Sequence, residues 1–123
     1  MPYITTWEAD GVYRVFSGEI NAEQILRSNF ELQRHPDFMK IHYVLNDFTP
    51  VTGHSLTSSH TNTYAETDEI IAGTKGSLKI ALVVPNEIFV PVAQAYIEQM
   101  SDKIFDCQLF RLLQEARAWV EVP

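Results

Sequence analysis

A hairpin that gives way to alternating helix and strand periods is the pattern that most restricts what this chain can become. Residues 3–9 and 12–18 form two extended runs joined by Asp10-Gly11, a pair that favours a two-residue turn. In the second run Val12, Arg14 and Phe16 alternate with Tyr13, Val15 and Ser17. The period then changes. Asn21 with Gln24 three residues on has the form of a capping box, and Ile25, Leu26, Asn29, Phe30 and Gln33 trace one helical face. His35-Pro36 ends that helix. Ile41 to Phe48 returns to β-branched and aromatic residues on both faces, as a buried strand requires.

A turn is expected from Thr49 to Gly53, followed by a helix from about Ser55 to Ala72 with Leu56, His60, Tyr64, Thr67 and Ile71 turned inward. Ser77 to Val84 is a second buried strand, broken by Pro85-Asn86. Pro91 cannot donate within a helix, so a third helix should start near Val90 and reach about Asp102, after an irregular turn at 87–89. Its apolar face is Ala93, Tyr96, Ile97, Met100 and Ile104. Asp106 to Arg111 is a last short strand, and Leu113 to Val120 a closing helix. This order gives an α/β chain at the α+β border. It implies one mixed sheet of about five strands, an antiparallel N-terminal hairpin, parallel crossovers and about four helices. At 123 residues it is one domain, 1–123.

Charge and cysteine content narrow the partners. Nine Lys and Arg face sixteen Asp and Glu, a net charge of -7. Nucleic-acid binding rests on neutralising phosphates, and the nearest approach to a basic cluster is the isolated pair Lys75 and Lys79. Nucleic acid and anionic membrane surfaces are therefore excluded as expected partners. Cys107 is the only cysteine, so no internal disulfide and no cysteine zinc site can form. It reads as a small buried hydrophobe, against the alternative of a reactive thiol. The opening residues lack the basic region and apolar run of a signal peptide. Runs such as Ile80 to Pro85 are too short to span a bilayer, so a cytoplasmic address is the expectation.

Catalytic and metal patterns are sparse. His54 and His60 are six residues apart, about 600° of helical rotation, and would not share a face. His60, Tyr64 and Asp68 would form a file able to hold a polar ligand, or simply bond one another and the backbone. His42 and His35 read as structural or exposed, and no pair has metal-ligand spacing with a third partner. Ser55, Ser58 and Ser59 lack the glycine-flanked elbow of a nucleophile, and Asp68 and Glu69 point apart on a helix. No enzyme, cofactor or metal is expected. Two features survive. One is the apolar cluster Ile88-Phe89-Val90-Pro91-Val92, read as a partner surface or ligand portal, or else as a staple folded over the core. The other is the Ser-, Thr- and Asn-rich segment Ser55 to Thr67, either a lid beside that portal or an ordinary solvated helix face.

The succession resembles the SpoIIAA-like family, whose fold is shared with STAS domains and whose name is linked to CRAL-TRIO lipid carriers. The resemblance spans Tyr3 to Val122. It is carried by Val12-Tyr13-Arg14-Val15, by Tyr43-Val44-Leu45-Asn46-Asp47-Phe48, by Leu78-Lys79-Ile80-Ala81-Leu82-Val83-Val84, and by the closing Phe110-Arg111-Leu112-Leu113-Gln114-Glu115-Ala116-Arg117-Ala118-Trp119-Val120. STAS-type antagonists carry a phosphorylatable Ser in an Asp-Ser-Ser-Gly turn after an inner strand. Here the matching turn begins at Asp47 but is longer, and no Ser follows Asp47 directly. By that resemblance Asp47, Thr49, Thr52 and Ser55 form the candidate regulatory turn. A phosphate on Thr52 or Ser55 would lie near a helix N-terminus, whereas the plainer role of these hydroxyls is to cap that helix.

Two functions follow. The first is a non-enzymatic interaction or regulatory domain docking a protein partner or its own copy, a homodimer, through the 47–55 turn and the 88–92 cluster. The second is carriage of a small lipophilic ligand in an apolar pocket between the 55–72 and 87–102 helices, with His60 and Tyr64 as polar handles.

Overall fold

The computed structural model describes residues 3–55, 78–85, 87, 89–100 and 106–122. The chain opens with strands β1 (Tyr3–Trp7), β2 (Gly11–Phe16) and β3 (Gly18–Ile20), then helix α1 (Ala22–Arg34) and a 3-10 turn at Phe38–Lys40. Strands β4 (Tyr43–Asp47), β5 (Val51–His54) and β6 (Lys79–Val83) follow, then α2 (Val90–Met100), β7 (Asp106–Phe110) and α3 (Leu113–Val120). Five strands form one mixed sheet in the order β1-β2-β4-β6-β7, antiparallel between β1 and β2 and parallel elsewhere. That is the expected architecture. Three of the four expected helices lie in the described residues; the expected helix from about Ser55 to Ala72 lies, apart from Ser55, outside them.

Strand periodicity sorts the core into two layers. Val12, Phe16, Val44, Ile80 and Leu82 face α1 and α2, together with Ile25, Leu32, Val90, Ala93 and Tyr96. Tyr43, Leu45, Ala81 and Val83 face the other way, onto Ala116 and Val120 of α3. Burial on both faces is why Tyr43-Val44-Leu45 of β4 and Ile80-Ala81-Leu82-Val83 of β6 run apolar without alternation. The first layer is crossed by a file of rings. Tyr3 lies 5.9 Å from Phe16, Phe16 stacks on Phe48 at 4.8 Å, and Phe48 meets Phe89 at 4.7 Å.

The structure corrects the sequence reading in four places. The hairpin connection is residues 8–10, and Gly11 is already in β2. A Cβ there would lie 2.4 Å from the Tyr43 ring, so this glycine is required by ring packing. The 49–53 turn is shorter than expected, because Val51–His54 forms β5 and pairs with β3 in a separate two-stranded sheet. The inward stripe of α1 is Ile25, Ser28 and Leu32, which leaves Phe30 65% exposed. Finally, of the two readings of the 88–92 cluster, the outward surface fails at Phe89 and Val90, which are core residues because Phe89 extends the file of rings.

Two terminal details match their sequence signals, and a third goes beyond them. Asn21 accepts from the Gln24 amide, and the Gln24 side chain accepts from the Asn21 amide, both at 2.9 Å. The first bond of α2 runs from the Ala93 amide to the Phe89 carbonyl at 3.2 Å, so Pro91 occupies a position where no intrahelical donor is needed. Lys79 on β6 donates to the Trp119 and Val122 carbonyls at 3.0 and 2.8 Å, closing the C-terminal end of α3.

Candidate functional site

The carboxyl end of β4 is where a parallel sheet offers its loops for function. Asp47 is buried there, and its two oxygens are engaged. One accepts the Tyr13 hydroxyl at 2.8 Å, and the other accepts the Thr49 amide and hydroxyl at 2.9 and 2.5 Å. Asp47 thus folds the turn, by the local side-chain-to-backbone bonding that short acids favour. Thr49 and Thr52 are exposed, Thr52 on β5, and the Ser55 amide bonds the Ile20 carbonyl at 3.2 Å. The helix that Thr52 or Ser55 would cap lies outside the described residues. So do His60, Tyr64 and Ile88. Phe89 and Val90, read from sequence either as a partner surface or portal or as a staple over the core, are buried at 4% and 7% exposure, in line with the staple.

Tyr13 belongs to a polar group on the α3 side of the sheet. Arg117 grips Glu8 with two bonds, 2.8 and 2.7 Å, and lies 5.0 Å from the Tyr13 ring centre. Tyr43 also donates to Glu8. The Arg117 guanidinium holds the Glu8 carboxyl below its usual range, with the Tyr43 hydroxyl adding to it against the cost of burial. Burial, then hydrogen bonding to Asp47 and Glu8 respectively, pushes the Tyr13 and Tyr43 hydroxyls up to about 12. Both are neutral donors at ordinary pH. The group ties α3 to the N-terminal hairpin across 109 residues of sequence, a coupling no local pattern reveals.

A second polar group lies under α1. Arg14 is buried and donates from Nε to Asn46, its register partner on β4, at 2.8 Å. It also reaches Ser28 and Asn29 of α1 at 3.1 and 2.9 Å. Arg14 shares its strand face with the buried Val12 and Phe16, and Ser28 supplies the matching notch. Two of the histidines pack against aromatic rings. His35 stacks on Trp7 at 3.8 Å, and His54 meets the Phe89 ring edge-on at 5.1 Å. Among the described residues, no group of three His, Cys, Asp or Glu side chains could hold a metal ion. No helix among them is long and apolar enough to cross a membrane.

The outer side of α1 is different in kind. Opposite its buried stripe, Phe30 borders an open groove of about 620 Å³, with Leu26, partly buried against the core, at its edge. Glu23, Arg27, Glu31 and Arg34 rim it. Of the apolar residues that the helical period turns inward, Ile25 and Leu26 do pack on the core, and Phe30 alone faces out.

No family model and no curated protein matches the chain. A solved structure does: an uncharacterized protein from the DUF3478 family with a SpoIIAA-like fold, from Shewanella loihica PV-4. The match has a TM-score of 0.53 and 15% sequence identity, and covers 96% of this chain and 91% of that one. The fold is SpoIIAA-like. This agrees with the resemblance read from the hairpin, the two inner strands and the closing strand–helix pattern. At that identity the likeness concerns architecture alone, and a SpoIIAA-like fold hosts function through the particular surface each chain presents.

Proposed function

We propose that this SpoIIAA-like chain is a non-enzymatic domain that acts by docking a protein, and that the outer face of α1 is its docking surface. One observation carries this reading. Phe30 is a large apolar side chain 65% exposed, set beside Leu26 in a groove with an alternating charged rim. An apolar centre ringed by charge is the anatomy of a partner surface. The 47–55 turn serves as structure in this reading, since the Asp47 carboxylate is spent on Tyr13 and Thr49. Native mass spectrometry on protein purified from its own source tests the proposal. A chain-sized mass retained by the wild type and lost in Phe30→Asp is the expected result. A bare chain in both samples would contradict it, and a small-molecule mass would support carriage of a lipophilic ligand instead.

A further inference from the structure

The outer face of α1 is laid out to complement itself. Its residues pair symmetrically about a single point. Glu23 and Arg34 are centred between residues 28 and 29, Arg27 and Glu31 on residue 29, and Leu26 and Phe30 on residue 28. With a helical rise of about 1.5 Å per residue, these three centres fall within about 1.5 Å of one another along the axis. A two-fold axis through that point lays a second α1 antiparallel on the first. Glu23 then meets the second copy's Arg34, Arg27 meets its Glu31, and Leu26 meets its Phe30, each contact occurring twice.

We infer that the occupant of this face is a second copy of the chain, joined through antiparallel α1 helices. The inference rests on the docking role of this face and goes beyond it by naming the partner. Charge supports a copy over an unrelated chain. The face holds two acids and two bases within a protein of net charge -7, so two copies meet there without the repulsion that the rest of their surfaces would bring. Within one chain Arg27 pairs with Glu23 at 2.8 Å and Tyr3 donates to Glu31 at 2.8 Å. The Arg27–Glu23 pair is solvent-exposed, so exchanging it for a contact across the dimer costs little. Six side chains per copy is small against the ~20–30 of a standard interface, so the dimer is weak and concentration-dependent.

Sedimentation velocity on the full chain, from low micromolar to near millimolar, reads this out. Arg27→Glu and Glu31→Arg should each weaken self-association by about tenfold or more, because each sets like charges opposite one another twice. Mixing the two variants should restore a dimer, since both cross-contacts become attractive. Circular dichroism melts check that these exposed substitutions leave the fold intact. A wild type monomeric throughout, single reversals that dimerise as the wild type does, or a mixture that stays monomeric would each overturn the inference. A monomeric wild type that retains a different protein, lost in Phe30→Asp, would overturn the second copy alone. If Phe30→Asp alters neither dimerisation nor partner retention, the docking role of α1 falls with it.

Discussion

Glu8 shows how single residues carry this fold between distant elements. Its carboxylate takes two bonds from Arg117 and one from Tyr43, joining the start of the chain to α3 and β4. Because its folded-state pKa lies below the unfolded value, its contribution is full above the ordinary carboxylate range and is lost as pH falls through the folded value. Glu8→Gln should therefore cost about 1 kcal/mol at neutral pH, and the difference should shrink as pH falls below the ordinary carboxylate range. Urea unfolding at neutral and acid pH measures this, and a difference that stays constant into acid would contradict the assignment. Gly11 works at the same scale. The Tyr43 ring lies where its Cβ would be, which places the Tyr43 hydroxyl against Glu8. Asp10-Gly11 marked that a hairpin forms here, but Gly11 lies in β2, and the reason for the glycine is a ring more than thirty residues away, which no turn rule encodes.

Elements were legible where their signal is local. The capping box of α1, the stop at His35-Pro36, the start of α2 at Val90 and the whole of α3 follow from residues within a turn of each boundary. What failed was orientation. Ile25, Leu26, Asn29, Phe30 and Gln33 fit a helical stripe, yet α1 is turned so that Ile25, Ser28 and Leu32 are buried. The buried Arg14 explains the difference, because Ser28 and Asn29 satisfy its guanidinium and fix which side of α1 faces the sheet. The same global packing drew Phe89 into the file of rings. Thermal unfolding separates the two phenylalanines. Phe89→Ala should cost about 3–5 kcal/mol, and Phe30→Ser should stay within about 0.5 kcal/mol of the wild type. Equal losses would mean that the outer face of α1 is covered after all.

At the scale of the molecule, the expected order hairpin, helix, strand, helix, strand, helix, strand, helix left few topologies open, and the resemblance to SpoIIAA-like chains selected among them. The surface that matters was harder to read. An apolar residue on a helix looks the same in sequence whether it faces a core or a partner, and only the packed structure separates Leu32 from Phe30. The central claim is that the outer face of α1 is where this domain meets protein. A dilution series of amide NMR spectra on the full chain tests it most directly. Concentration-dependent shifts concentrated on Glu23, Leu26, Arg27, Phe30, Glu31 and Arg34 are expected. Shifts confined to the β1 or β7 edge, or none on α1 up to near-millimolar protein with or without a co-purified partner, would contradict it.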